Sequence, residues 1–272
     1  MLPKQSKLIE EKDANYEIKK QRIGGIGIVY IKYTLDQNLF ENDQHLRLFG
    51  EKFVQKNKNN CKLSISGKTY EIKCKINQEE FKNYNIKKND EILEVQLKGK
   101  GIEDMSSMFF LCTSLIYVNF SSFSTKNLTN MEAMFYGCKS LTQVDLSSFN
   151  TQKVLNMVGM FYGCENLIKV NLSSLNTQKV VGMRSMFKGC ESITKIDLSS
   201  FSTENVVDMF GMFDNCKNLV KVDMSSFKFQ NAYNVDDMFK NCHSLIKTER
   251  ENYNEIKHNI KSKESELLLI EV

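Results

Sequence analysis

Six evenly spaced cysteines are the most regular chemistry-bearing residues of this 272-residue chain. One follows another every 26 residues, at Cys112, Cys138, Cys164, Cys190, Cys216 and Cys242. Thiols can carry redox chemistry, bind zinc or pack as small apolar groups. Zinc requires closely spaced ligand pairs such as Cys-x-x-Cys, and the sequence contains none. We therefore expect reduced cysteines in a core, with a thiol-based redox protein as the rival interpretation.

Histidines offer no second source of chemistry. His45, His243 and His258 have no paired spacing for a metal, and no nucleophile stands in an identifiable arrangement with a base. We therefore predict that the protein is not an enzyme, with no catalytic residues, no metal site and no cofactor.

Polar residues that follow the same 26-residue period form the best candidate site. In the segment SLTQVDLSSF, polar residues alternate with Val144 and Leu146, the pattern of a strand with one buried face. The outward positions in successive repeats are Tyr117, Asn119, Gln143, Asp145, Lys169, Asn171, Lys195, Asp197, Lys221 and Asp223. We predict that a protein partner binds these ten residues. The alternatives are a merely solvated surface and a structural protein that assembles through the ends or edges of its repeats.

The segment before each such strand has the spacing of a short helix. Met131, Met134, Phe135 and Cys138 stand at i, i+3, i+4 and i+7, which would place them on one helical face. A capping residue precedes each helix and Gly or Asn ends all but the first. The sequence therefore predicts an α/β solenoid, a parallel-sheet array of six 26-residue coils, each with a strand and a short helix.

The motif NMEAMFYGCKSLTQVDLSSFNT at residues 130–151 resembles the BspA-type leucine-rich repeats of surface proteins in mycoplasmas, other bacteria and protists. The resemblance extends over residues 93–248. It implies a leucine-rich solenoid used for adhesion or protein binding, without catalytic residues.

Residues 22–92 lack the repeat and are expected to form a β-rich module that caps it, after a weakly ordered leader at residues 1–21. Strands are predicted over residues 27–33, 46–54 and 92–97, the last as the first strand of the repeats. Residues 249–272 are predicted to form a C-terminal cap, with residues 267–270 folding back on the last repeat.

A hairpin is the clearest element of the N-terminal module. Centring its turn on Gly67 and Lys68 pairs Ile65 with Tyr70, Leu63 with Ile72 and Cys61 with Cys74. A separate basic binding module is the alternative to a cap, and its lysines would be Lys52, Lys56, Lys58, Lys87 and Lys88.

Charge and hydropathy narrow the choice of partner. Residues 101–248 carry 13 basic and 13 acidic groups, a balance that argues against an extended nucleic-acid groove. No apolar stretch approaches the roughly 20 residues that span a bilayer, and no export signal is readable. We therefore expect a cytoplasmic monomer, although the family resemblance implies a cell surface.

Overall fold

The computed structural model describes residues 26–40, 44–247 and 251–260. Its largest sheet has five antiparallel strands in the order β4-β3-β6-β1-β7. These strands are β1 (Gly27–Thr34), β3 (Cys61–Ile65), β4 (Lys68–Glu71), β6 (Ile92–Gly99) and β7 (Leu115–Asn119). β2 (His45–Arg47) and β5 (Lys75–Asn77) form a separate antiparallel pair.

β1 forms because its residues alternate between an apolar and a polar face. Val29, Ile31 and Tyr33 are buried, whereas Tyr30 and Lys32 are half-exposed. The strand expected at residues 27–33 is thus confirmed. β6, expected to open the repeats, instead lies at the centre of the antiparallel sheet between β1 and β3.

The prediction of a strand at residues 46–54 was wrong. Residues 46–54 do not form one strand, because β2 ends at Arg47 and helix α1 (Glu51–Asn57) follows, burying Phe53 and Asn57 four residues apart. The module also contains helix α2 (Gln78–Phe81) and 3-10 turns at Gln37–Phe40 and Lys82–Tyr84.

The predicted hairpin register was wrong by two residues. Ser66 and Gly67 both have positive φ, 49° and 78°, which is the geometry of a type I′ turn. Ile65 therefore pairs with Lys68 and Leu63 with Tyr70. The ladder of β3 and β4 does not pair Cys61 with Cys74, and on its other side β3 places Cys61 opposite Gly99 of β6.

The predicted α/β solenoid, with its parallel-sheet leucine-rich array, was also wrong. Among the described residues, parallel pairing of strands is confined to two three-residue pairs. These are β8 (Gln143–Asp145) with β9 (Lys169–Asn171), and β10 (Lys195–Asp197) with β11 (Lys221–Asp223). A sixth repeat strand would fall at residues 247–249, of which only Lys247 is described, and it is helical.

The short helices predicted in the repeats are turns. Residues 101–246, all described, contain no helical residue. In the middle of each predicted helix one residue has a φ between 52° and 60°, which a right-handed helix does not allow. These residues are Ser107, Ala133, Gly159, Ser185, Gly211 and Asp237.

Successive repeats are joined by backbone hydrogen bonds between these turns. The amide of Phe135 donates to the carbonyl of Met160 in the next repeat at 2.8 Å, and Phe161 donates likewise to Met186 at 2.8 Å. Five isolated parallel bridges add to the contact, the first joining Asp104 to Asn130.

The side chains above these bonds form a dry core. Met131, Met134, Phe135 and Cys138 are fully buried, as are their counterparts in the neighbouring repeats. Phenylalanine rings of adjacent repeats stack with centroids 5.1 to 5.7 Å apart, through Phe109, Phe135, Phe161, Phe187, Phe213 and Phe239. The burial pattern expected of a helical face is therefore produced by turns.

A column of buried threonines supplies a further link between repeats. The Thr177 hydroxyl donates to the carbonyl of Ser202 at 2.8 Å and accepts from the amide of the same residue at 2.8 Å. Thr151 and Thr203 make the same two bonds to the residue 25 positions later.

Both ends of the stacked repeats are covered. At one end β1 pairs with β7, and the amide of Gly50, which precedes α1, donates to the carbonyl of Met108 at 3.0 Å. At the other end residues 251–260 are helical. In that helix Tyr253 lies edge-on to Phe239 at 5.4 Å and its hydroxyl donates to the carbonyl of Val235 at 3.0 Å.

Ala133→Gly distinguishes the turn from a helix by the sign of its effect. At a φ of 52° glycine removes the steric penalty of the Cβ, so we expect a gain of about 0.5–1 kcal/mol in unfolding free energy. In a right-handed helix the same change costs about 1 kcal/mol. Denaturant unfolding measures the sign, and a loss of stability would contradict the turn.

Thr177→Val tests the threonine column, because it keeps the side-chain shape while removing the hydroxyl. Two backbone groups of Ser202 lose their partner, and we expect a loss of about 1–3 kcal/mol in unfolding free energy. Thr194→Val, the same change at an exposed site, is the control and should cost less than about 0.5 kcal/mol. Equal losses in the two variants would show that the threonine column does not contribute to stability.

Candidate functional site

The ten polar residues predicted to bind a partner lie on strands β7 to β11, two on each strand, and we call them the strand surface. Strand pairing brings Gln143 opposite Lys169 and Asp145 opposite Asn171. The same pairing brings Lys195 opposite Lys221 and Asp197 opposite Asp223. Neighbouring paired strands lie about 4.8 Å apart, so side chains within each pair are in contact range.

Six of the ten residues surround one groove of about 350 Å³. They are Tyr117, Asn119, Gln143, Asp145, Lys169 and Asn171. Val144 and Phe120 lie beneath the groove and are buried, and its accessible lining is shared between polar and apolar groups. Lys195, Asp197, Lys221 and Asp223 continue the surface along the later repeats, outside this groove.

The lysines of the strand surface differ from other lysines of the repeats. Lys139 pairs with Glu165 at 2.7 Å, Lys217 pairs with Glu191 at 2.7 Å, and Lys228 pairs with Glu204, each acid lying in an adjacent repeat. Within the described part of the chain, no carboxylate forms an ion pair with the exposed Lys169, Lys195 or Lys221. Their ammonium groups are therefore available to a ligand.

The carboxylates of Asp197 and Asp223 on the strand surface accept hydrogen bonds from the serine two residues later in the chain. The Asp197 carboxylate accepts from the Ser199 hydroxyl at 2.6 Å and from the Ser199 amide at 2.9 Å. These bonds lower the pKa of Asp197, and bonds from Ser225 lower the pKa of Asp223 in the same way. Both carboxylates stay ionised at neutral pH, so a row of fixed negative charge runs beside the lysines.

The cysteines are arranged for packing. The Cys138 thiol donates to the carbonyl of Phe109 in the preceding repeat at 3.1 Å, and Cys164 bonds to Phe135 in the same way at 3.0 Å. Burial raises the pKa of Cys164 to about 12 and also raises the pKa of Cys112, Cys138, Cys190 and Cys216. All eight cysteines are free thiols, and Cys74 alone is not fully buried.

Two lysines of the proposed basic module bind the repeats instead. Lys52 pairs with Glu132 at 3.1 Å, and Lys56 pairs with Asp104. These ion pairs fix α1 against the first two repeats. Lys52 and Lys56 are therefore engaged within the molecule.

Sequence reasoning missed the N-terminal residues that adjoin the strand surface. Lys32 of β1 lies opposite Tyr117, with its ammonium 5.6 Å from the centre of the tyrosine ring. Lys32 also pairs with Glu94 of β6 at 3.1 Å. The alternation of β1 already places Tyr30 and Lys32 on the outer face, but no sequence signal shows that β7 pairs with β1.

Neither a metal site nor a membrane span emerges from the described residues. Among the residues with described positions, no three His, Cys, Asp or Glu side chains are grouped so that they could hold a metal ion. In the same part of the chain every helix is too short or too polar to cross a membrane.

Comparison with known proteins identifies the repeats. A family described as "Mycoplasma protein of unknown function, DUF285" matches residues 76–171 and again residues 144–253. Neither the curated proteins nor the solved structures contain a significant match to the chain. The two family matches together extend over residues 76–253, more than half of the sequence, and the chain therefore belongs to this Mycoplasma repeat family.

Proposed function

We propose that the protein is a non-enzymatic binding protein whose protein partner docks on the strand surface. The observation that carries the proposal is the row formed by Lys169, Lys195 and Lys221, which are exposed and form no ion pair with any described residue. The fixed carboxylates of Asp197 and Asp223 lie beside them. Such alternating charge favours a partner with complementary charges and gives specificity more than affinity.

The rigidity of the strand surface supports this function. Each polar residue lies on a strand that is hydrogen-bonded to a neighbouring strand, so little conformational freedom is lost when a partner binds. An adhesion role, which the resemblance to BspA-type repeats implies, would use the same surface. The family's description assigns it no function, so the proposal depends on this geometry alone.

Assembly through the ends of the repeats is less well supported. The N-terminal sheet and α1 cover the first repeat, and the helix at residues 251–260 packs against the last one through Tyr253. Within the described part of the chain, the core phenylalanines of the first and last repeats, Phe109 and Phe239, are buried by these contacts. A monomeric binding protein therefore agrees better with the packing than a structural polymer does.

Replacing Lys169, Lys195 and Lys221 together with alanine should weaken partner binding by about tenfold or more. Three exposed charges each contribute up to about 1 kcal/mol when they meet a complementary surface. Affinity capture from native lysate of the source organism, with quantified recovery of the bound protein, measures the effect. The thermal midpoint should stay nearly unchanged, because the three side chains make no ion pair with the described residues.

A second triple variant, with Lys139, Lys217 and Lys228 replaced by alanine, removes the same charge from ion-paired positions. It should keep the partner. Equal loss in both variants would indicate non-specific attraction, and unaltered capture by the first variant would exclude the strand surface as the binding site.

A thiol-based redox function predicts reactive cysteines, whereas packing predicts inert ones. Because burial raises the pKa of Cys61 and Cys164 to about 12, these thiols stay protonated at pH 8. We expect a thiol reagent to modify only Cys74 rapidly in the native protein, and the other seven cysteines only after denaturant is added. Cys74→Ser should abolish the rapid phase, and rapid reaction of the repeat cysteines would support the redox function.

A further inference from the structure

A second groove lies on the outer face of the N-terminal sheet. It has a volume of about 520 Å³, within the range of about 300–1,000 Å³ found for small-molecule clefts. Strands β1, β3 and β6 form its floor, and the turn at residues 84–86 forms part of its wall. Tyr117 lines both this groove and the one on the strand surface, so the two are contiguous.

One row of uncharged polar side chains crosses the floor. Strand pairing places Ser64 of β3 opposite Gln96 of β6, and Gln96 opposite Tyr30 of β1. Ser64 is only 5% exposed. Throughout the described chain, no hydrogen-bond partner is found for the side chains of Ser64, Gln96 or Tyr30. Polar side chains that line a groove and have no protein partner can exchange hydrogen bonds with a ligand or with water.

The main chain of these strands cannot recognise a ligand. β1 is paired with β6 and β7, and both β3 and β6 also have strands on either side. A peptide that adds to a sheet needs an open edge, which this face does not provide. Recognition on the floor must therefore come from the side chains, and a serine hydroxyl, a glutamine amide and a tyrosine hydroxyl can each both donate and accept.

The charges around the groove cancel. Lys32 and Lys98 carry two positive charges, and Asp90 and Glu94 carry two negative ones. Lys32 and Glu94 are paired at 3.1 Å. This balance does not favour a polyanion, which would need clustered cations.

From these features we propose that the groove binds a neutral saccharide. The hydroxyl groups of a sugar both donate and accept, as do the three side chains of the floor. The ring of Tyr30 is half-exposed and is in contact with no other aromatic ring or cation of the described chain, so it can pack against the apolar face of a sugar. The N-terminal module thus provides a binding site of its own beside the strand surface.

Titration with neutral tetrasaccharides of glucose in α-1,4 and β-1,4 linkage, of mannose and of N-acetylglucosamine tests the proposal. Calorimetry and saturation-transfer NMR on the full chain should detect at least one with a dissociation constant of about 1 mM or tighter. Gln96→Leu removes the hydrogen bonds at nearly constant volume, and Tyr30→Val removes the ring. Each should weaken binding by about tenfold, and Tyr30→Phe should weaken it less than Tyr30→Val.

Matched controls are Gln152→Leu and Tyr233→Val, the same changes at exposed positions of the repeats, which should leave saccharide binding unchanged. A thermal midpoint for every variant confirms folding. Binding of none of the four sugars at about 10 mM, or equal binding by all variants, would overturn the proposal. Binding of a neutral serine- and asparagine-rich peptide without any sugar would also overturn it. None of these outcomes bears on the strand-surface lysines, which are tested by their own variants.

Discussion

The structure depends on hydrogen bonds between the turns of successive repeats. In a helix the amide of Phe161 would bond to the carbonyl of Met157, four residues earlier. Here it bonds to the carbonyl of Met186 in the next repeat at 2.8 Å. The left-handed residue at position 159 breaks the helical course, so that amides and carbonyls point toward the neighbouring repeats.

These hydrogen bonds determine which side chains of successive repeats come into contact. Because equivalent turns are joined, phenylalanine rings stack, cysteine thiols reach a carbonyl of the preceding repeat, and threonine hydroxyls reach the following one. The buried groups are thus used for packing. The groups that remain accessible to a ligand are the exposed ones. They are chiefly the lysines and aspartates of the strand surface and the polar residues that line the groove beside it.

The sequence predicted which side chains are buried better than it predicted the backbone. Met131, Met134, Phe135 and Cys138 follow a helical spacing, and all are buried, yet the residues form turns. A helix and a tight turn bonded to another repeat can bury the same positions, so periodicity does not separate them. Gly159 and Gly211, in the middle of predicted helices, were the available signal.

The strand surface could be located from the alternation around Val144, but the groove beside it could not. Its floor joins Ser64, Gln96 and Tyr30 from three strands that lie far apart in the sequence. Their register depends on the pairing of β3 with β6 and of β1 with β6. Such long-range pairing has no local signature, because many registers bury the same apolar residues.

The central claim is that turn amides bond to the next repeat, and scalar couplings across hydrogen bonds measure this most directly. In a deuterated, isotope-labelled sample, the amide nitrogen of Phe161 should couple to the carbonyl carbon of Met186. The amide of Phe187 should couple in the same way to Met212. Coupling of Phe161 to Met157 instead would show a helix within each repeat and would contradict the account.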